Sequence, residues 1–140
     1  MPKRGEVYAL VDSFFQEVWN EQNDDAIPKY ISPKVIEHGL SGLQPLTLDY
    51  SDFIAFRARF LQAFPDAKFT VDNILVEGEV VVVRFHVEAT HLGDGMGFPA
   101  TGRKISFTAM GFGIWRDGKM IEAWNNFDQL GLMRQVGLIE

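Results

Sequence analysis

The hydrophobic period changes once along this chain, from helical in the first half to alternating in the second. Val7, Leu10, Val11, Phe14 and Val18, with Tyr8, Phe15 and Trp19 beside them, recur at helical spacing, while Asp12, Gln16 and Glu17 lie largely elsewhere. This predicts a first helix ending near Asn20–Asn23. Asn23 or Asp24 can then cap a shorter helix through Ile27 and Tyr30, with Pro28 in its first turn and Ser32-Pro33 at its end. Lys34–His38 reads as a short strand and Leu40–Leu48 as a loop. A third helix is expected from about Ser51 to Phe64, with Phe53, Phe56, Phe60 and Phe64 along one stripe and Pro65 as its stop.

From Lys68 onward the pattern is that of strands. Lys68–Val76 leads through the turn Glu77-Gly78-Glu79 into Val80–His91, which is rich in β-branched residues. The glycine-rich loop GDGMGFPATG separates it from Arg103–Trp115, where Gly111 and Gly113 mark bulge or bend points. Asp117-Gly118 is a hairpin turn, Lys119–Asp128 the last strand, and Leu130–Gly137 a short closing helix. Three helices followed by a meander of long antiparallel strands argue for an α+β fold. A strongly bent sheet with helices on one face would form a cone with a cavity inside. No repeat, low-complexity run or linker interrupts the chain, so residues 1–140 read as a single domain.

Composition narrows the function classes. Twelve phenylalanines in 140 residues point to a bulky aromatic core or an aromatic-walled pocket. A net charge of −6 argues against nucleic acid as a partner, since binding there gains from a basic face. The absence of cysteine excludes disulfides, thiolate metal sites and a Cys nucleophile, and leaves the cytoplasm as the default location. Lys3 and Arg4 are not followed by a signal peptide, and no apolar run reaches membrane-spanning length.

The candidate chemistry gathers at strand ends. On the last strand Glu122, Trp124, Asn126 and Asp128 share one face, and Ile121, Ala123, Asn125 and Phe127 the other. Asp128 is either the N-cap of the last helix or a carboxylate whose ordinary pKa, about 3.9, is raised by neighbouring aromatics toward that of a useful base. His91 continues the apolar face of Val81, Val83, Phe85, Val87 and Ala89 into the mouth of the cone, to polarise a carbonyl or position Asp128, or else bonds only to backbone. His38 lies on the side of Ile36 and faces either the cavity or solvent, and His86, with Arg84 and Glu88, an outer surface. Asn126 can donate to an enolate oxygen as its charge develops. Trp124 joins it as a pocket candidate, and Glu122 is either a third or the partner of Arg84 or Arg103. Phe15, Trp19, Phe56 and Phe60 are core, some of them pocket wall. No histidine pair has helical ligand spacing, so no metal is expected.

The order and spacing of four segments carry a resemblance: FFQEVWNEQNDDAIPKYISPKVIEHG, AFPDAKFTVDNILVEGEVVVVRF, EATHLGDGMGFPATGRKISF and DGKMIEAWNNFDQLGLMRQVG. Together they resemble the SnoaL-like polyketide cyclases of the NTF2-like superfamily, over nearly the whole chain. Ala100 departs from the family's frequent second proline in a loop. The resemblance implies an NTF2-like cone, a homodimer and a deep apolar pocket for a small carbonyl or polyketide-like ligand. It also implies ring closure by intramolecular aldol condensation without metal or organic cofactor. In this family an Asp at the end of the last long strand is acid and base, and Asp128 matches it. A non-catalytic ligand-binding or dimerisation module on the same fold is the alternative. An isomerase-like site would need a carboxylate where the short strand ends and a Tyr in the first helix, and His38 and, approximately, Phe14 stand there. An epoxide hydrolase-like site would need an Arg-x-Asp that the central strands lack.

Overall fold

The computed structural model describes residues 4–40 and 42–140, with the side chain of Arg4 left out. Lys3, part of the N-terminal reading, and Ser41, within the expected loop, lie outside the described residues.

Helix α1 (Arg4–Phe14) runs without a break into a wider π-helical turn, Phe15–Asn20. Polar contacts anchor the end of that turn. The Asn20 amide donates to the Phe69 carbonyl at 2.9 Å and accepts from the Phe69 N–H at 2.7 Å, as a neighbouring strand would. The buried Arg57 guanidinium donates to the Val18 carbonyl at 3.0 Å, supplying a partner for a helix-end acceptor, and pairs with Asp24. Asn23 caps a 3₁₀ turn, Asp24–Ala26, which passes into α2 (Ile27–Tyr30) with Pro28 in its first turn.

Strand β1 (Ile31–His38) starts at Ile31, three residues before the strand expected from sequence. Ser32-Pro33 ends the helix and is also the first part of the strand. Proline is accommodated because β2 pairs only with Val35–Glu37, so no β2 partner is lost at Pro33. Strand β2 (Leu46–Leu48) replaces part of the expected loop, being too short for its alternation to register in the sequence. Helix α3 (Tyr50–Ala63) opens with a reciprocal cap in which Asp49 accepts from the Asp52 N–H at 2.8 Å and Asp52 from the Asp49 N–H at 3.1 Å. Then follow β3 (Lys68–Glu77), β4 (Val80–Thr90), β5 (Lys104–Arg116), β6 (Lys119–Phe127) and α4 (Gln129–Gln135).

The strands form a six-stranded, unclosed sheet in the order β2-β1-β6-β5-β4-β3. The long strands are antiparallel as expected, but β1 joins β6 in parallel. Irregularities between Val71 and Asn73, Ile114 and Trp115, and Ile31 and Ile36 bend the sheet. Val81, Val83, Val87, Ile105, Phe107 and Ala109 point inward and are buried. The fold is the α+β architecture expected, a bent sheet with helices over its inner face. No described helix is long and apolar enough to cross a membrane.

Candidate active site

The inner face does not close on itself. Its apolar residues fall into three clusters, and members of all three line one cavity of about 420 Å³. Phe14, Phe15 and Trp19 come from the first helix, Phe53, Phe56 and Phe60 from α3, and Phe107 from β5. Gly111 and Gly113 leave part of the β5 wall without side chains, which helps to make the space. Of the aromatic candidates, Phe15, Trp19, Phe56 and Phe60 all border the cavity.

Among the described residues one carboxylate lines it, and the sequence reading passed over it. Glu37 follows Val35 on the inward side of β1 and is only 4 % exposed. The parallel pairing sets Glu37 against Ala123 and brings the Asn125 side chain within reach. Asn125 Nδ2 donates to Glu37 Oε2 at 2.8 Å and to the His38 carbonyl at 3.1 Å. The close approach depends on Gly39: a Cβ there would lie 2.2 Å from the Asn125 carbonyl oxygen, and φ is +84°. Burial pushes the Glu37 carboxyl up from 4.5 to about 7, against the smaller lowering effects of the Asn125 hydrogen bond and the neighbouring His38. Both Asn125 N–H groups are thereby committed, so this amide orients the carboxylate. The available signal was an acid on the inward alternation of an apolar strand.

Three other candidates lie on the opposite face of the sheet. His38, Glu122 and Trp124 point outward, where His38 Nε2 pairs with Glu122 Oε2 at 2.8 Å and the His38 ring stacks on Trp124 at 4.5 Å. They do not border the cavity, which corrects their expected place in it. Glu122 also pairs with His38 in place of Arg84 or Arg103. Parity decides this: Glu37 and Asn125 take the inward positions, so their sequence neighbours turn outward. Asn126 has the parity of Trp124 and is likewise exposed, at the end of β6 where the strand edges the cavity, so its side chain is not the inward donor expected. His86 points outward and pairs with Asp72 at 2.8 Å.

The expected pairing of Asp128 with His91 in one cavity is not what the fold forms. Asp128 is the N-cap of α4, its carboxylate accepting from the Gly131 N–H at 2.9 Å, and it does not border the cavity. His91 does continue the inward face of β4, but it is fully buried between Phe64 and Phe98, outside the cavity lining. Its Nδ1 accepts from the Thr101 N–H at 3.1 Å, and its Nε2 has no partner among the described residues. The His91 N–H donates to the Arg103 carbonyl at 2.9 Å, and its carbonyl accepts from Gly102 at 2.8 Å. His91 therefore closes the base of the glycine-rich loop. Among the described residues no three His, Asp or Glu side chains gather as a metal site would require.

Comparison with solved structures places the same architecture in several proteins. A candidate polyketide cyclase of Acidithiobacillus ferrooxidans is 27 % identical, with full coverage of both chains and a TM-score of 0.86. AclR of Streptomyces galilaeus, a candidate hydroxylase, is also 27 % identical, with 99 % of this chain and 100 % of that one covered and a TM-score of 0.83. A candidate SnoaL-like polyketide cyclase of Jannaschia sp. CCS1 is 25 % identical, covering 100 % and 97 %, with a TM-score of 0.84. No curated protein matches the chain. The sequence profile of the SnoaL-like polyketide cyclases matches residues 9–136, and the chain belongs to that family.

Proposed function

We propose that the protein is an acid/base enzyme acting on a small apolar carbonyl compound, with Glu37 as the group that carries the proton. The observation behind this is a carboxyl raised to about 7 inside an aromatic cavity, where it can both accept and return a proton near neutral pH. In the aldol version, ionised Glu37 removes a proton from a methylene flanked by two carbonyls. The resulting enolate carbon attacks a second carbonyl of the same molecule. The new carbon–carbon bond closes the ring, and the attacked oxygen takes the proton back from Glu37. Atoms balance without a metal or organic cofactor. The indole N–H groups of Trp19 and Trp115 are the candidate donors to developing negative oxygen, since both residues border the cavity.

The names of the similar structures include a cyclase and a hydroxylase, so the chemistry must be argued from the site. A second reading gains from Glu37: it supplies the strand-end carboxylate of an isomerase-like site, one residue before His38. Keto–enol or allylic isomerisation would use the same proton transfer. Deuterium uptake from D2O into the methylene of 1-phenylbutane-1,3-dione, followed by NMR, tests the shared step. The wild type should accelerate uptake over buffer and Glu37→Gln should not; acceleration that survives in Glu37→Gln would remove Glu37 from the role.

The outer face supports a homodimer. Leu75, Met110, Phe112 and Trp124 are exposed, and the register joins them into one patch through Leu75↔Val82, Val82↔Phe112 and Phe112↔Trp124. A contiguous apolar sheet face of this kind suits pairing with a second copy.

A further inference from the structure

The cavity has a second charged side chain, and its surroundings differ from those of the other described arginines. Arg59 lines the cavity from α3 and is exposed, whereas Glu37 lines it from β1 and is buried. Arg57, Arg84, Arg103, Arg116 and Arg134 each donate to a protein acceptor. Arg59 has no hydrogen bond or ion pair among the described residues. The glycine-rich loop packs against this part of α3: a Cβ on Gly95 would lie 2.2 Å from the Arg59 carbonyl oxygen. That loop carries an acid, Asp94, yet Gln62 Nε2 holds it at 2.8 Å, and Arg59 remains unpaired.

Resting on the reading that the cavity takes an apolar carbonyl compound, we propose that Arg59 selects, among such compounds, those ending in a carboxylate. The ligand would lie with its reacting carbonyls toward Glu37, its apolar body along the phenylalanine walls and its carboxylate against the Arg59 guanidinium. Two features fix this polarity. Ionised Glu37 repels an anionic group, and Arg59 is the only cation among the described lining residues. A lone guanidinium, with no second cation among the described lining residues, suits a singly charged carboxylate better than a phosphate.

The test uses 5-oxo-5-phenylpentanoate and its methyl ester, which differ in charge at one end only, with binding measured by calorimetry. The wild type should bind the acid roughly fivefold more tightly than the ester at low salt. Arg59→Met should remove that preference, and Arg59→Lys should restore part of it. Equal affinities in the wild type, no measurable binding of the acid, or a preference that survives Arg59→Met would each overturn the assignment. Deuterium uptake by the wild type without a preference for the acid would sink the Arg59 assignment and leave the Glu37 reading standing. A preference for the acid without deuterium uptake would do the reverse.

Discussion

Glu37 on β1 and Asn125 on β6 meet at 2.8 Å across the parallel strand pair, on the wall of an aromatic cavity. The carboxyl is held by a fixed amide and stripped of water, a combination that places its titration near neutrality.

The pH dependence of kcat/KM should rise with an apparent pKa of about 7, because only ionised Glu37 accepts the substrate proton. A steady-state profile between pH 5 and 9 checks this. A profile flat across that range would mean that another group carries the proton.

Glu37 should also leave a signature in stability. Its folded pKa lies above the unfolded one, so its contribution is fully present below about 4.5 and is lost as pH rises through about 7. A shift of this size corresponds to on the order of 3 kcal/mol. Glu37→Gln should therefore unfold much like the wild type at pH 4 and be the more stable protein at pH 8. Denaturant titrations at the two pH values decide it.

Asn125 lowers the Glu37 pKa through its hydrogen bond, so Asn125→Leu should move the midpoint of the pH–rate profile upward by about one unit. Activity should recover at alkaline pH, as expected of a positioning residue. A uniform loss at every pH would point instead to contact with the substrate.

Asp128→Ala should cost about 1 kcal/mol through the lost cap on α4 and leave the pH profile unchanged. Should activity vanish while stability and profile hold, the acid/base role implied by the family resemblance would return to Asp128.

Phe112→Glu sets a charge in the middle of the outer apolar face, beside Trp124. Light scattering should show dimeric wild type and monomeric variant. A monomeric wild type would end the proposal that this face pairs with a second copy.

Much of the fold was legible because it rests on local rules. The period of the apolar residues defined the first and third helices and the long strands, and Glu77-Gly78-Glu79 and Asp117-Gly118 marked the turns that join them. Strand β2 was not legible, since three residues carry too little alternation. The parallel pairing of β1 with β6 was equally hidden, because it joins segments some 85 positions apart, with Ile36 opposite Glu122, and has no local signature.

The sequence by itself determined the α+β order of elements, the aromatic wealth of the interior and the strand-end chemistry that had to be weighed. Only the tertiary structure decided which polar groups enter the cavity. Glu37 and His38, or Trp124 and Asn125, differ by one position, and in a strand one position reverses the face. The pairing of β1 with β6 turned Glu37 and Asn125 inward and sent His38, Glu122 and Trp124 outward. It also left Asp128 just past the strand, where the unpaired N–H groups of α4 took its carboxylate. Burial then raised the Glu37 pKa, a property of the surrounding protein that no residue type carries alone.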